Sequence, residues 1–91
     1  MNPDLDELRE EIEEIDRDIV ESIARRIYVV ESIAEVKKER GMEIHDPDRE
    51  KVVLERVAER AESLDVDPDD VCEVFELLME ISKKEQRRHT D

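Results

Sequence analysis

The chain has 91 residues and a formal net charge of −14, with 48% charged and 37% apolar residues. That length holds one domain, residues 1–91. The acidity argues against nucleic acid, whose binding relies on Lys and Arg neutralising phosphates, and against anionic membrane surfaces. The uninterrupted apolar runs are far too short for a bilayer span or a secretory segment, and the lone Cys72 cannot form an intrachain disulfide. A soluble cytoplasmic protein is expected.

Leu8, Ile12, Ile15, Ile19, Ile23, Ile27, Val30 and Ile33 recur in steps of three and four, which predicts an amphipathic helix over about residues 4–40. Asn2 or Asp4 can cap it. Gly41 ends it, with Lys37, Lys38 and Arg40 in the last turn, where the helix dipole favours cations. A second helix, about 47–63, starts at "DPDRE", with Asp46 as N-cap and Pro47 at the first helical position. Its apolar stripe is Val53, Leu54, Val57, Ala58, Ala61 and Leu64. "DVDPDD" then breaks the chain, and Asp67 with Pro68 starts a third helix, about 68–88. Val71, Cys72, Val74, Phe75, Leu78, Met79 and Ser82 lie along one broad side of it. The fold class is all-α.

Helix one, at about 36 residues, is roughly 54 Å long, whereas a compact chain of this size has a radius of gyration of about 12 Å. Two helices of half its length cannot cover its stripe at every level. A second copy related by a twofold axis near Ile19 and Ile23 covers it most simply, in an antiparallel homodimer. A longer coiled-coil assembly fits two short, separately capped helices less well.

Most charges belong to solvated surface; the informative ones flank the apolar stripes. Arg26 and Lys37 are eleven residues apart, about 20° from the same helix face. Cations on a partly buried face need anions, either in salt bridges or in a ligand. Arg9 precedes Arg26 by about 25 Å along the axis, too far to share a ligand within one chain. Ser82 and Gln86 share a face of helix three. Arg49 and Glu50 follow the Asp46 cap by one turn. His45 and His89 have no metal-ligand spacing, and neither a nucleophile–His set nor a Gly-rich phosphate loop is present.

In chain order, Arg9, Arg26, Lys37, Asp46, Arg49, Glu50, Ser82 and Gln86 resemble the active site of the all-helical class of chorismate mutases. The resemblance runs through the "LREEIEEIDRDIVESIARR" opening, the Lys ending helix one, "DPDRE", and the Ser-x-x-x-Gln of helix three. It implies three helices per chain, one long and two shorter, intertwined as an antiparallel homodimer that forms a six-helix bundle. It implies two equivalent sites, each completed by an Arg from the other chain. The implied reaction is the Claisen rearrangement of chorismate to prephenate, on the route to phenylalanine and tyrosine, with no cofactor or metal.

By resemblance, Arg26 and the partner's Arg9 bind the two substrate carboxylates, supported by Ser82 and Arg49. Lys37 and Gln86 meet the ether oxygen, Glu50, helped by Lys37, accepts from the ring hydroxyl, and Asp46 orders that corner. Two positions stand apart from the pattern. Arg25 replaces a commonly acidic neighbour and, about 100° from Arg26, is expected in solvent. Lys83 is a cation with no assigned place. An isochorismate-pyruvate lyase shares the fold and much of the pocket, but Glu50 favours the mutase. A non-catalytic helical dimerisation module would leave all eight residues as surface or salt bridges.

Overall fold

The computed structural model describes residues 4–90, which form α1 (Leu5–Arg40), α2 (Pro47–Ser63) and α3 (Pro68–Thr90). The helix starts follow local chemistry. Asp4 accepts from the Glu7 backbone N–H at 2.8 Å, Asp46 from Arg49 at 3.1 Å, and Asp67 from Asp69 at 2.9 Å. Each satisfies a donor that the first turn leaves without an intrahelical partner. Asn2, the other candidate cap of α1, lies outside the described residues.

The ends of α1 and α2 share one closure. At Gly41, φ 64°, the chain turns left-handed, and the Met42 N–H reaches back to Lys37 O at 2.8 Å. After α2, Asp65 takes φ 58°, and the Val66 N–H reaches Ala61 O at 2.9 Å. Glycine adopts this conformation at no steric cost, and Asp is among the residues that tolerate it.

α3 packs against both α1 and α2, which do not pack on each other. The core is thin: among the described residues only Val30, Ala34 and Ala61 are buried apolar residues. The molecule measures 59 × 24 × 14 Å, its long dimension set by α1. From Leu5 to Ser22 every residue of α1 is exposed, including Ile12 at 56% and Ile19 at 52%. The uncovered stripe expected from helix length is therefore present in the single chain.

Three stripe positions differ from expectation. Ile33 is 42% exposed because it faces the open pocket between the helices. Leu64 is 62% exposed because α2 ends at Ser63 and Leu64 is its C-cap, turned off the helical path. Val74 is 55% exposed; it lies about 70° from the centre of the face carrying Val71, Phe75, Leu78 and Ser82. Cys72, on that face, is half-buried with Sγ 3.7 Å from Leu54 O. α3 also runs to Thr90, two residues beyond the expected end.

Candidate active site

α1, the α1–α2 connection, α2 and α3 enclose an open cavity of about 740 Å³. Arg26, Lys37, Asp46, Arg49, Glu50, Ser82 and Gln86 all line it. Arg9 does not; it sits on the exposed half of α1, about 25 Å along the helix from Arg26. The wall carries five cations, Arg25, Arg26, Lys37, Arg49 and Lys83, against the carboxylates of Asp46 and Glu50. On a chain of net charge −14 the pocket inverts the sign of its surroundings, as a site for an anion requires.

The α1–α3 contact positions Arg26. Its Nη1 donates to Ser82 Oγ at 3.2 Å, and its Cζ lies 5.6 Å from the centroid of the Phe75 ring. Ser82 Oγ also lies 2.9 Å from the carbonyl of Leu78, which can only accept. The hydroxyl proton therefore goes to Leu78, and Ser82 offers Arg26 a lone pair. Ring and hydroxyl fix the guanidinium plane, leaving its other N–H groups for an anion.

Lys37, in the last turn of α1, donates from Nζ to the Ile44 carbonyl at 2.9 Å. That bond ties the ammonium to the α1–α2 connection and uses one of its three donors. Gln86 is 6% exposed, the sole buried polar residue among the described residues.

The cation that Glu50 pairs with is Lys83. Glu50 Oε1 is 3.0 Å from Lys83 Nζ, and Lys83 is also 2.8 Å from Glu80. The hydrogen bond and charge of Lys83 hold the Glu80 carboxyl below the usual carboxylate range. Hydrogen bonds to Glu80 and then Glu50 raise the Lys83 ammonium above the usual lysine value. Arg25 is exposed, as expected, yet also reaches the pocket lining, with Nη2 3.4 Å from Ser22 Oγ. A long side chain covers the distance that a 100° offset at Cα suggests it should not.

A protein-family model described as chorismate mutase type II matches residues 8–87, a span that contains every one of these side chains. The chain belongs to the chorismate mutase type II family. It is 33% identical over 87 residues to the chorismate mutase of Methanocaldococcus jannaschii, covering 96% of this chain and 88% of that protein. It is also 33% identical over 79 residues to the T-protein of Enterobacter agglomerans, spanning 87% of this chain and 21% of that one. The bifunctional chorismate mutase/prephenate dehydratase of Buchnera aphidicola is 33% identical over 85 residues, 93% of this chain and 22% of its own length. The chain thus matches nearly the whole of the first relative and about a fifth of the other two.

Two further features surround this chorismate mutase-family pocket. His89 lies 3.1 Å from Glu35 and ties the end of α3 to α1 outside the cavity lining. Among the described residues no group of His, Cys, Asp and Glu is placed to hold a metal ion, and no helix is long and apolar enough to cross a membrane. The sequence reading left Lys83 unassigned. Its acid at i−3, Glu80, was a readable helix pair, but Glu50 lies 33 positions away in sequence and meets it only through the α2–α3 packing.

Proposed function

We propose that the protein is a chorismate mutase, converting chorismate to prephenate in the cytoplasm on the route to phenylalanine and tyrosine. One observation carries this reading beyond family membership: Arg26, Lys37, Glu50 and Gln86, spread over three helices, line one cation-rich pocket of an acidic chain.

The reaction breaks the ether C–O bond and forms a C–C bond within one molecule, so no group is transferred to the enzyme. Catalysis then rests on conformation and charge. The substrate is a dianion that reacts only when its enolpyruvyl arm folds over the ring. Arg26, held by Ser82 and Phe75, takes one carboxylate in a bidentate fork. The partner's Arg9 takes the other, with Arg49 beside it. Holding the folded conformer removes part of the entropic barrier.

As the ether bond breaks, negative charge grows on its oxygen. Lys37 and Gln86 donate to that oxygen, so they bind the transition state more strongly than the substrate. Glu50 accepts from the ring hydroxyl, and Asp46 holds the first turn of α2 by its cap. Ser82 acts through Arg26, because its own proton is engaged by Leu78.

The protein acts as an antiparallel homodimer in which α1 of each copy covers the other. Two observations support this. The stripe from Leu8 to Ile19 is exposed along half of α1, and Arg9 lies on that half. The test of the activity is to mix purified protein with chorismate and follow its loss and the appearance of prephenate. Stoichiometric prephenate is expected. A folded protein that leaves chorismate unchanged, or that instead releases pyruvate from isochorismate, overturns the reading.

A further inference from the structure

Lys83 follows Ser82 in sequence and lines the same pocket. Its side chain is 13% exposed, lodged between Glu50 of α2 and Glu80 of α3. The two acids differ. Glu50 is 25% exposed and faces the pocket, whereas Glu80 is 67% exposed and is not part of the lining. Glu80 stands one turn before Lys83 on the same helix, so it anchors the ammonium to α3. Through that anchor the Glu50 carboxylate is held in register with Ser82 and Gln86, one residue before and three residues after Lys83.

Such an arrangement answers a problem in the site. A carboxylate is the best acceptor for a hydroxyl, but an unpaired carboxylate in a pocket for a dianion repels the ligand. An ammonium 3.0 Å from Glu50 Oε1 offsets that charge and limits where the carboxylate can swing. Lys37, the other lysine of the pocket, is engaged by the Ile44 carbonyl.

We propose that Lys83 is a positioning residue, pinning Glu50 to α3 so that a carboxylate can accept the substrate's ring hydroxyl in a pocket built for a dianion. The inference rests on the chorismate reading above. A hydroxyl contact exists in substrate and transition state alike, so its loss changes affinity more than turnover.

The test is a double-mutant cycle on the full chain: Lys83→Met, Glu50→Gln, both together, and Lys83→Arg as the conservative variant, each checked for folding by circular dichroism. Lys83→Met is expected to raise KM for chorismate about tenfold with kcat nearly constant. Lys83→Arg keeps the charge and restores most of the affinity. In the Glu50→Gln background the effect of Lys83→Met disappears, because no charged acceptor remains to be held. Equal losses in both backgrounds, a loss confined to kcat, or an unchanged KM would each overturn the proposal. If Lys83→Met does not fold, Lys83→Gln repeats the cycle. A parent inactive on chorismate overturns the activity and this inference together. An active parent with an unaffected Lys83→Met overturns this inference alone.

Discussion

Ile19→Asp should separate the two copies of the chain and abolish turnover at the same time. Ile19 is 52% exposed in the single chain, so the proposed dimer has about half of its surface left to bury. Full burial of an Ile side chain stabilises by about 1.5–3 kcal/mol, which makes the remaining half worth about 1 kcal/mol per chain. Twofold symmetry applies the loss twice, about 2 kcal/mol per dimer. Near the axis the two new carboxylates also face each other. Like charges about 4 Å apart at an effective dielectric of about 20 repel by up to about 4 kcal/mol. The dissociation constant should therefore rise by roughly 30-fold to roughly 10⁴-fold, against about 30-fold for Ile19→Ala. Sedimentation equilibrium and chorismate turnover, followed over the same concentration series, read both consequences. Activity should track the dimer fraction and return as protein concentration rises. A monomeric variant with the parent's rate per chain would refute the reasoning, since neither site nor fold would then depend on the second copy.

Lys37→Ala should lower kcat by about 10² to 10³ and change KM far less, because its partner is charge that appears in the transition state; a change in KM alone would remove Lys37 from the ether oxygen. Glu80→Gln tests the clamp on Lys83 through pH. Glu80 titrates below the ordinary 4.5, so its contribution is present above that value and fades as pH falls through the lowered one. Lys83 titrates above the ordinary 10.5, so its contribution is present below that value and fades as pH rises through the raised one. The variant's Tm deficit should be flat between these limits and close at both ends; a deficit independent of pH contradicts the pairing. Salt acts on the net charge of −14, which a dimer doubles. The Debye length falls from about 10 Å at 0.1 M to about 3 Å at 1 M, so thermal stability should rise across a KCl series. kcat/KM should rise with it at first, and a steady fall of both from the lowest salt contradicts the proposed effect of the acidic surface.

The parts of the fold legible in the sequence were those set by local chemistry. The Asp caps, Pro47 and Pro68 at first helical positions, and Gly41 fix the helix ends within a turn, and the spacing of Ile and Leu fixes which side of α1 is apolar. The mismatch between the length of α1 and its two neighbours was also readable, because helix rise per residue is constant. Helical spacing placed Arg26 with Lys37 and Ser82 with Gln86 on shared faces, but only the resemblance to the all-helical chorismate mutases joined these residues with Asp46, Arg49 and Glu50 in one site.

Contacts set by side-chain reach and by the crossing of helices were not legible. Arg26 meets Ser82 across 56 positions of sequence, and Lys83 meets Glu50 across α2 and α3. No periodicity encodes either contact. Arg25 reaches the lining despite its Cα direction, and Lys37 takes a backbone carbonyl, a partner present at every residue and hence unmarked in sequence.

The most direct test of the account is to mix Arg9→Ala and Arg26→Ala chains. Each variant alone should be nearly inactive on chorismate, since every site then lacks one arginine. After subunit exchange at equal amounts, half of the dimers are mixed, and each mixed dimer holds one site with both arginines and one with neither. About a quarter of the parent activity should return. Proven exchange with no recovery would contradict a site completed by Arg9 across the interface.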